Sequence, residues 1–389
     1  MPSFSKRLIP RGNRIRVMVV DDSVVIRRLV THALEKDPVL EVVGSAADGV
    51  LALERIRYCK PDLITLDIEM PEMNGLELLP RLRSAHPDLR VIMFSTLTER
   101  GASATMEALS LGADDYVTKA SSAGSLDRSM AALEAELIPK IKQFFTLETA
   151  GAVTAVQPPP VAARPRQANP PASPQVVVIG ISTGGPTALG NILPQFPAHF
   201  PLPILIVQHM PPVFTRLLAE RLHATCKLKV LEAAHGMKLE AGHAYIAPGD
   251  YHMRLRREGT NVIIALDQGP QESSCRPAVD VLFRSALEIY GANCIAAVLT
   301  GMGYDGLKGA VDLNAAGAYV IAQDEESSVV WGMPGAVVNA GVANAVLPLT
   351  GVVPHVLKIT ESIPAHRTAL SVAPGTRIAA PSRTPGALH

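Results

Sequence analysis

Apolar residues along this chain fall into short runs separated by stretches with helical spacing. Between residues 15 and 145 the runs Arg16–Val20, Glu41–Ser45, Leu63–Asp67, Val91–Ser95 and Asp115–Thr118 read as strands, with helix-like segments between them. Between 175 and 360 the strand candidates are Val176–Ile181, Ile204–Gln208, His243–Ile246, Ile295–Leu299 and Ala318–Ile321. Strands that alternate with helices predict parallel α/β sheets, with ligands at the carboxyl ends of the strands. Five βα units fit a flavodoxin-like first domain. Residues 157–174, QPPPVAARPRQANPPASP, break the pattern. They hold seven prolines with no acidic or aromatic residue, and cannot build a core. The expected organisation is a basic extension (1–14), a first domain (15–145), a Pro-rich linker (146–174), a second domain (175–360) and a flexible tail (361–389).

Composition narrows the classes. The chain has 389 residues, 48% of them hydrophobic, with 36 Lys+Arg against 36 Asp+Glu. The zero net charge is a sum of unlike parts. Residues 15–145 carry 15 basic and 20 acidic side chains, and residues 175–360 carry 12 and 14, so both domains are acidic. That argues against nucleic acid as a partner. No apolar run reaches the ~18 residues of a membrane span and no signal-peptide stretch opens the chain, so neither membrane insertion nor export is expected. Cys59, Cys226, Cys275 and Cys294 show no metal-ribbon spacing and suit a cytoplasmic location.

In the first domain, one strand ends in Asp21-Asp22 and another in Asp67, followed by Ile68-Glu69-Met70-Pro71. The ends of the first and third strands are neighbours in this topology, so three carboxylates converge and call for a cation such as Mg²⁺. Ser95 and Lys119 end two further strands, where a hydroxyl and an ammonium can meet an anion.

In the second domain, the strand Val176–Ile181 runs into Ser182-Thr-Gly184-Gly185-Pro186. Gly180-x-Ser182-x-Gly184 matches the nucleophile-elbow pattern, which exposes a hydroxyl at a helix start. His209, at the end of the next strand, is placed to act as its base. The later run Gly301-x-Gly303-x-x-Gly306, with Asp324 eighteen residues on, has two readings. One is a dinucleotide fingerprint. In the other, Asp305 orients His209 and the glycines free backbone N–H groups for an oxyanion.

Two resemblances sharpen these expectations. Asp21-Asp22, Asp67 with Met70-Pro71 and Gly75, Ser95, and Tyr116-Val-Thr-Lys119 together resemble the receiver domain of two-component response regulators over about residues 15–130. The resemblance implies that Asp67 is the phosphoacceptor. Asp21, Asp22, Asp67 and the Glu69 backbone carbonyl would hold Mg²⁺, Ser95 and Lys119 would sense the phosphoryl group, and Tyr116 would be the aromatic switch. Residues 176–350 resemble the catalytic domain of the chemotaxis protein-glutamate methylesterases. The motifs are Gly180-Ile-Ser182-Thr-Gly-Gly-Pro186, Gln208-His209-Met-Pro-Pro212, Ala244-Tyr-Ile-Ala-Pro-Gly-Asp250, Arg276-Pro-Ala-Val-Asp-Val-Leu-Phe283, Thr300-Gly-Met-Gly303, Ala322-Gln-Asp-Glu325 and Gly332-Met-Pro334.

This second resemblance implies a doubly wound α/β domain with a mostly parallel sheet. It also implies a Ser182–His209–Asp305 triad, an oxyanion contact from the Met302 N–H, and no cofactor at the esterase site. The expected function is demethylation of glutamate γ-methyl esters on methyl-accepting chemotaxis receptors, releasing methanol, with deamidation of receptor glutamines. A histidine kinase would be the phosphodonor, and phosphorylation would relieve occlusion of the cleft. Three positions depart from the families: Ala120 where many receivers have proline, Val213 where a glycine is common, and Cys275 where many relatives have histidine.

Overall fold

The computed structural model describes residues 7–10, 12–119, 126–148, 170–171 and 173–361. Ala120, most of the proline-rich segment and the tail beyond Glu361 lie outside the described residues. All ten expected strands are present, with ends displaced by at most two residues.

The first α/β unit is a five-stranded parallel sheet in the spatial order Leu40–Ala46, Ile15–Val20, Leu63–Asp67, Arg90–Ser95, Asp115–Thr118. This order carries the ends of the Ile15–Val20 and Leu63–Asp67 strands side by side. Every residue of Leu63–Asp67 is buried, as a strand covered on both faces requires.

The second unit is a seven-stranded sheet, parallel throughout. Its order is Lys229–Glu232, His243–Ile246, Ile204–Gln208, Val176–Ile181, Cys294–Val298, Tyr319–Gln323, Ala345–Leu347. The wholly apolar Val176–Ile181 is central and buried along its length. The chain leaves it on one side toward Ile204–Gln208 and returns on its other side at Cys294–Val298. Its carboxyl end is therefore the topological switch point, where open α/β sheets place their ligands.

Elements without a strong apolar run escaped the sequence pattern. Arg7–Ile9 pairs in parallel with Phe145–Leu147, so part of the expected loose N-terminal extension is a strand. Lys229–Glu232 and Ala345–Leu347 are short sheet edges. The hairpin His252–Glu258/Asn261–Asp267 is charged on one face, while Met253, Leu255 and Ile264 are buried on the other.

The two units meet. The helix Glu99–Ser110 of the first packs against Phe214–Thr225 and Gly185–Ile192 of the second. Tyr116 stacks on Phe214 with ring centroids 4.9 Å apart and planes 7° from parallel. Arg216 pairs with Glu99, and Arg221 Nη1 donates to the Met106 carbonyl at 2.9 Å.

Candidate active site and phosphoryl site

Ser182 follows the central strand and stands three residues before Gly185, where the Gly185–Ile192 helix begins. Its N–H donates to Thr300 O at 3.0 Å, and its carbonyl accepts from Gly185 N–H at 2.8 Å and Gln208 Nε2 at 3.0 Å. The turn is thereby tied to both neighbouring strands. The left-handed backbone falls on Gly184 (φ +77°) rather than on the serine. Gly301 presses against Ser182 so closely that a Cβ there would lie 2.8 Å from the serine Cβ. The Ser182 hydroxyl makes no hydrogen bond among the described residues.

Ile181 pairs with Gln208 in register, which puts Ser182 and His209 at adjacent strand ends. His209 N–H donates to Ile181 O at 3.2 Å. His209 Nε2 lies 2.8 Å from Asp305 Oδ2. The other ring nitrogen, Nδ1, meets Cys275 Sγ at 3.7 Å and is the one not bound to Asp305. Asp305 is 2% exposed and collects three further donors: Val279 N–H (2.7 Å) on Oδ2, and Asp280 N–H (3.0 Å) and Gly306 N–H (2.9 Å) on Oδ1. These come from the starts of two helices, Val279–Tyr290 and Leu307–Ala315, whose dipoles favour an anion. Burial alone would raise the Asp305 pKa, but the His209 bond and the helix N–H groups outweigh it and hold the carboxyl below its ordinary range. Burial would lower the His209 pKa, and the hydrogen bond to that carboxylate overrides it in the opposite direction. The pair therefore fixes the imidazole's orientation and stabilises its charged form. Among the described residues the Met302 N–H has no acceptor, although the Met302 side chain is exposed.

The glycine run 301–306 belongs to this site. Gly301 abuts Ser182, and Gly306 (φ +90°) caps the Leu307–Ala315 helix. Asp324 Oδ1 is taken by the Ser327 N–H (2.9 Å) and hydroxyl (2.6 Å), so it closes a turn. The dinucleotide reading loses its ribose acid. Val213, where relatives commonly have glycine, adopts φ +72°, ψ −47°, a backbone region costly for a β-branched residue.

Sequence reasoning missed three supporting residues. Gln208 bridges the Ser182 and His209 carbonyls. The Thr300 hydroxyl donates to Thr183 O and accepts from Val330 N–H. Asp280, 1% exposed, accepts from Gly309 N–H at 2.8 Å. All three lie inside motifs quoted above, Gln208-His209-Met-Pro-Pro212, Thr300-Gly-Met-Gly303 and Arg276-Pro-Ala-Val-Asp-Val-Leu-Phe283, which was the available signal.

Burial, aided by the Asp305 charge, pushes the Asp280 carboxyl up to about 6, against the Gly309 N–H, Arg284 and Lys308. A folded pKa above the ordinary 3.8 means the native state binds this proton more tightly than the unfolded chain. Its stabilising effect is complete below about pH 4 and disappears as pH rises to about 6. Asp280→Asn keeps an acceptor for Gly309 without the charge. Thermal unfolding should show the variant ahead by about 1–2 kcal/mol above pH 6, with the gap closing near pH 4.

In the first unit, Asp21 and Asp67 are buried and Asp22 is exposed, with donor oxygens within 4.8 Å of one another. Lys119 Nζ lies 2.8 Å from Asp67 Oδ2 and 3.0 Å from Asp21 Oδ2. Asp21 Oδ2 is buried and ion-paired with Lys119, and three carboxylates gathered around one ammonium fit a further hard cation such as Mg²⁺. Burial raises the Asp67 pKa to about 6; the Asp21 charge adds to the rise and Lys119 opposes it. The Glu69 side chain turns away to Arg100 at 3.2 Å. Ser95 Oγ does not reach Asp67 but donates to Gly101 O at 3.0 Å. Tyr116 is buried, with Lys140 Nζ 4.9 Å from its ring centroid.

The family model for the CheB methylesterase matches residues 177–356, and that for the response regulator receiver domain matches 17–131. A protein-glutamate methylesterase/protein-glutamine glutaminase of Trichodesmium erythraeum is 46% identical over 347 residues, covering 89% of this chain and 99% of that protein. One from a Nocardioides species is 49% identical over 354 residues, covering 88% and 95%. The crystal structure of the Thermotoga maritima CheB methylesterase catalytic domain aligns with 46% identity over 48% of this chain and 99% of that one, with a TM-score of 0.47.

Proposed function

Because this chain belongs to the protein-glutamate methylesterase/protein-glutamine glutaminase family, we propose that it is a phosphorylation-controlled serine hydrolase acting on chemotaxis receptors. Its substrates are γ-glutamyl methyl esters, from which it releases methanol, and receptor glutamines, which it deamidates. The observation that carries this reading is the 2.8 Å His209–Asp305 pair beside Ser182 at the switch point of the sheet.

His209 Nδ1 takes the Ser182 proton as Oγ attacks the ester carbonyl, because Nε2 is committed to Asp305. The Met302 N–H receives the developing oxyanion. The imidazolium, stabilised by Asp305, returns the proton to the departing methoxide. Water then cleaves the acyl-enzyme by the same exchange in reverse.

Residues 15–145 form the regulatory domain, 175–360 the catalytic domain and 146–174 the linker between them. Asp67 is the phosphoacceptor. Asp21, Asp22, Asp67 and the Glu69 carbonyl would hold Mg²⁺, which when bound offsets the charge of the incoming phosphoryl group. A phosphoryl group on Asp67 displaces the present Lys119–Asp67 pair. Movement of Lys119, Ser95 and Tyr116 then reaches the Phe214 stack and the Glu99–Arg216 pair, loosening the face that covers the Ser182 helix.

Asp67→Asn should keep its basal rate of methanol release yet gain nothing from a small-molecule phosphodonor. Equal stimulation of variant and wild type would remove Asp67 from the switch. Among the described residues no helix is long and apolar enough to cross a membrane.

A further inference from the structure

Cys275 is held rigidly against the base. Its N–H donates to Glu272 O at 2.8 Å and its carbonyl accepts from Glu272 N–H at 3.1 Å. The following Arg276 is anchored by Nε to Asp250 Oδ1 (2.9 Å) and by Nη1 to Gly269 O (2.9 Å). Buried His252 pins both sides of the loop, through Pro270 O at 2.9 Å and Ala278 N–H at 3.3 Å. The 3.7 Å separation of Cys275 Sγ and His209 Nδ1 is thus built into the fold.

That distance fits a metal. A tetrahedral zinc-class ion, ~2.3 Å from sulfur and ~2.0 Å from imidazole nitrogen, holds these two donors about 3.5 Å apart. The opposite ring nitrogen already bonds to Asp305, so Nδ1 is the nitrogen left beside the thiol. A carboxylate behind a ligating imidazole is the usual outer support of such sites. Donor atoms of His209, Cys275 and Asp305 all lie within 4.8 Å of one another. Cys275 and His209 are both half-buried, so water can complete the coordination from the cleft.

We propose that Cys275 Sγ and His209 Nδ1 form an inhibitory site for a zinc-class divalent cation, which silences the esterase by occupying the nitrogen that Ser182 needs. The inference rests on His209 Nδ1 being the esterase base. On binding, the thiol proton and the Nδ1 proton of the charged imidazole both leave to solvent, a metal–sulfur bond forms, and Nδ1 donates the lone pair so freed. A thiolate–imidazole pair selects zinc over Mg²⁺ or Ca²⁺, so the site stays distinct from the carboxylate cluster of the first domain.

Titration of the full chain with Co²⁺ tests this. Wild type should develop a thiolate-to-cobalt charge-transfer band, which the oxygen-only cluster at Asp21, Asp22 and Asp67 cannot produce. Cys275→Ala and Cys275→Ser, both retaining the other three cysteines, should lose the band, with affinity at this site falling at least about 100-fold. Micromolar Zn²⁺ should slow wild-type methanol release at least about tenfold while each variant keeps its own zinc-free rate. A band unchanged in both variants, or equal inhibition of wild type and variants, overturns the proposal. A cysteine-dependent band in a protein that releases no methanol under any condition supports the metal site and overturns the esterase reading.

Discussion

Ser182→Ala should lower methanol release by at least about 10⁴-fold without altering the fold. The hydroxyl has no hydrogen-bond partner among the described residues, and the turn is held through main-chain atoms: the Ser182 N–H donates to Thr300 O, and its carbonyl accepts from Gly185 N–H and the Gln208 side-chain amide. Removing one oxygen therefore leaves packing and register intact. Unfolding temperature should move by no more than about a degree, since a surface-accessible change without lost partners stays within about 0.5 kcal/mol. Any residual rate would come from binding and the oxyanion contact proposed for Met302. A variant that kept more than a few per cent of wild-type turnover would show that the ester carbonyl is attacked by something other than this serine.

Asp305→Asn should be nearly as damaging, by about 10³- to 10⁴-fold, for a different reason. Four donors converge on this carboxylate: His209 Nε2 and the N–H groups of Val279, Asp280 and Gly306. An asparagine has one acceptor oxygen, so its amide N–H₂ must confront at least one of them. Either a helix start loses a partner, costing about 1–3 kcal/mol of stability, or His209 flips its tautomer. A flipped tautomer puts the proton on Nδ1, where the lone pair is needed. Kinetics and calorimetry on the same sample separate the two losses. The Ser182→Ala/Asp305→Asn double variant should be no slower than Ser182→Ala alone, because the two residues act as one unit. Additive losses would mean that Asp305 serves some other step.

Much of this arrangement was legible in the residues. Unbroken apolar runs such as Val176–Ile181 define central strands, and a chemical residue immediately after such a run is placed by the strand itself. That is why Ser182, His209, Asp21 and Asp67 could be located from the chain alone. Asp305 has two readings in the chain, because the glycines around it satisfy two motifs. Only the third dimension separates them, through Gly301 pressed on Ser182 and Asp324 closed into a turn. The short edge strands and the charged hairpin escaped because register and pairing, rather than local hydrophobicity, create them. Ser95 was expected at the phosphoryl site, but its hydroxyl is drawn to the start of the Glu99–Ser110 helix, an alternative acceptor invisible in a linear pattern. Cys275 stood out only as a departure from relatives; its contact with His209 spans 66 residues and required the fold.

The most direct measurement is methanol release from membranes carrying methylated receptors, with wild type and Ser182→Ala, each with and without a phosphodonor. A receiver-controlled serine hydrolase predicts a basal wild-type rate that rises with the donor, and no release above background from Ser182→Ala in either condition. Equal release from the two proteins, or a wild-type rate indifferent to the donor, would contradict it.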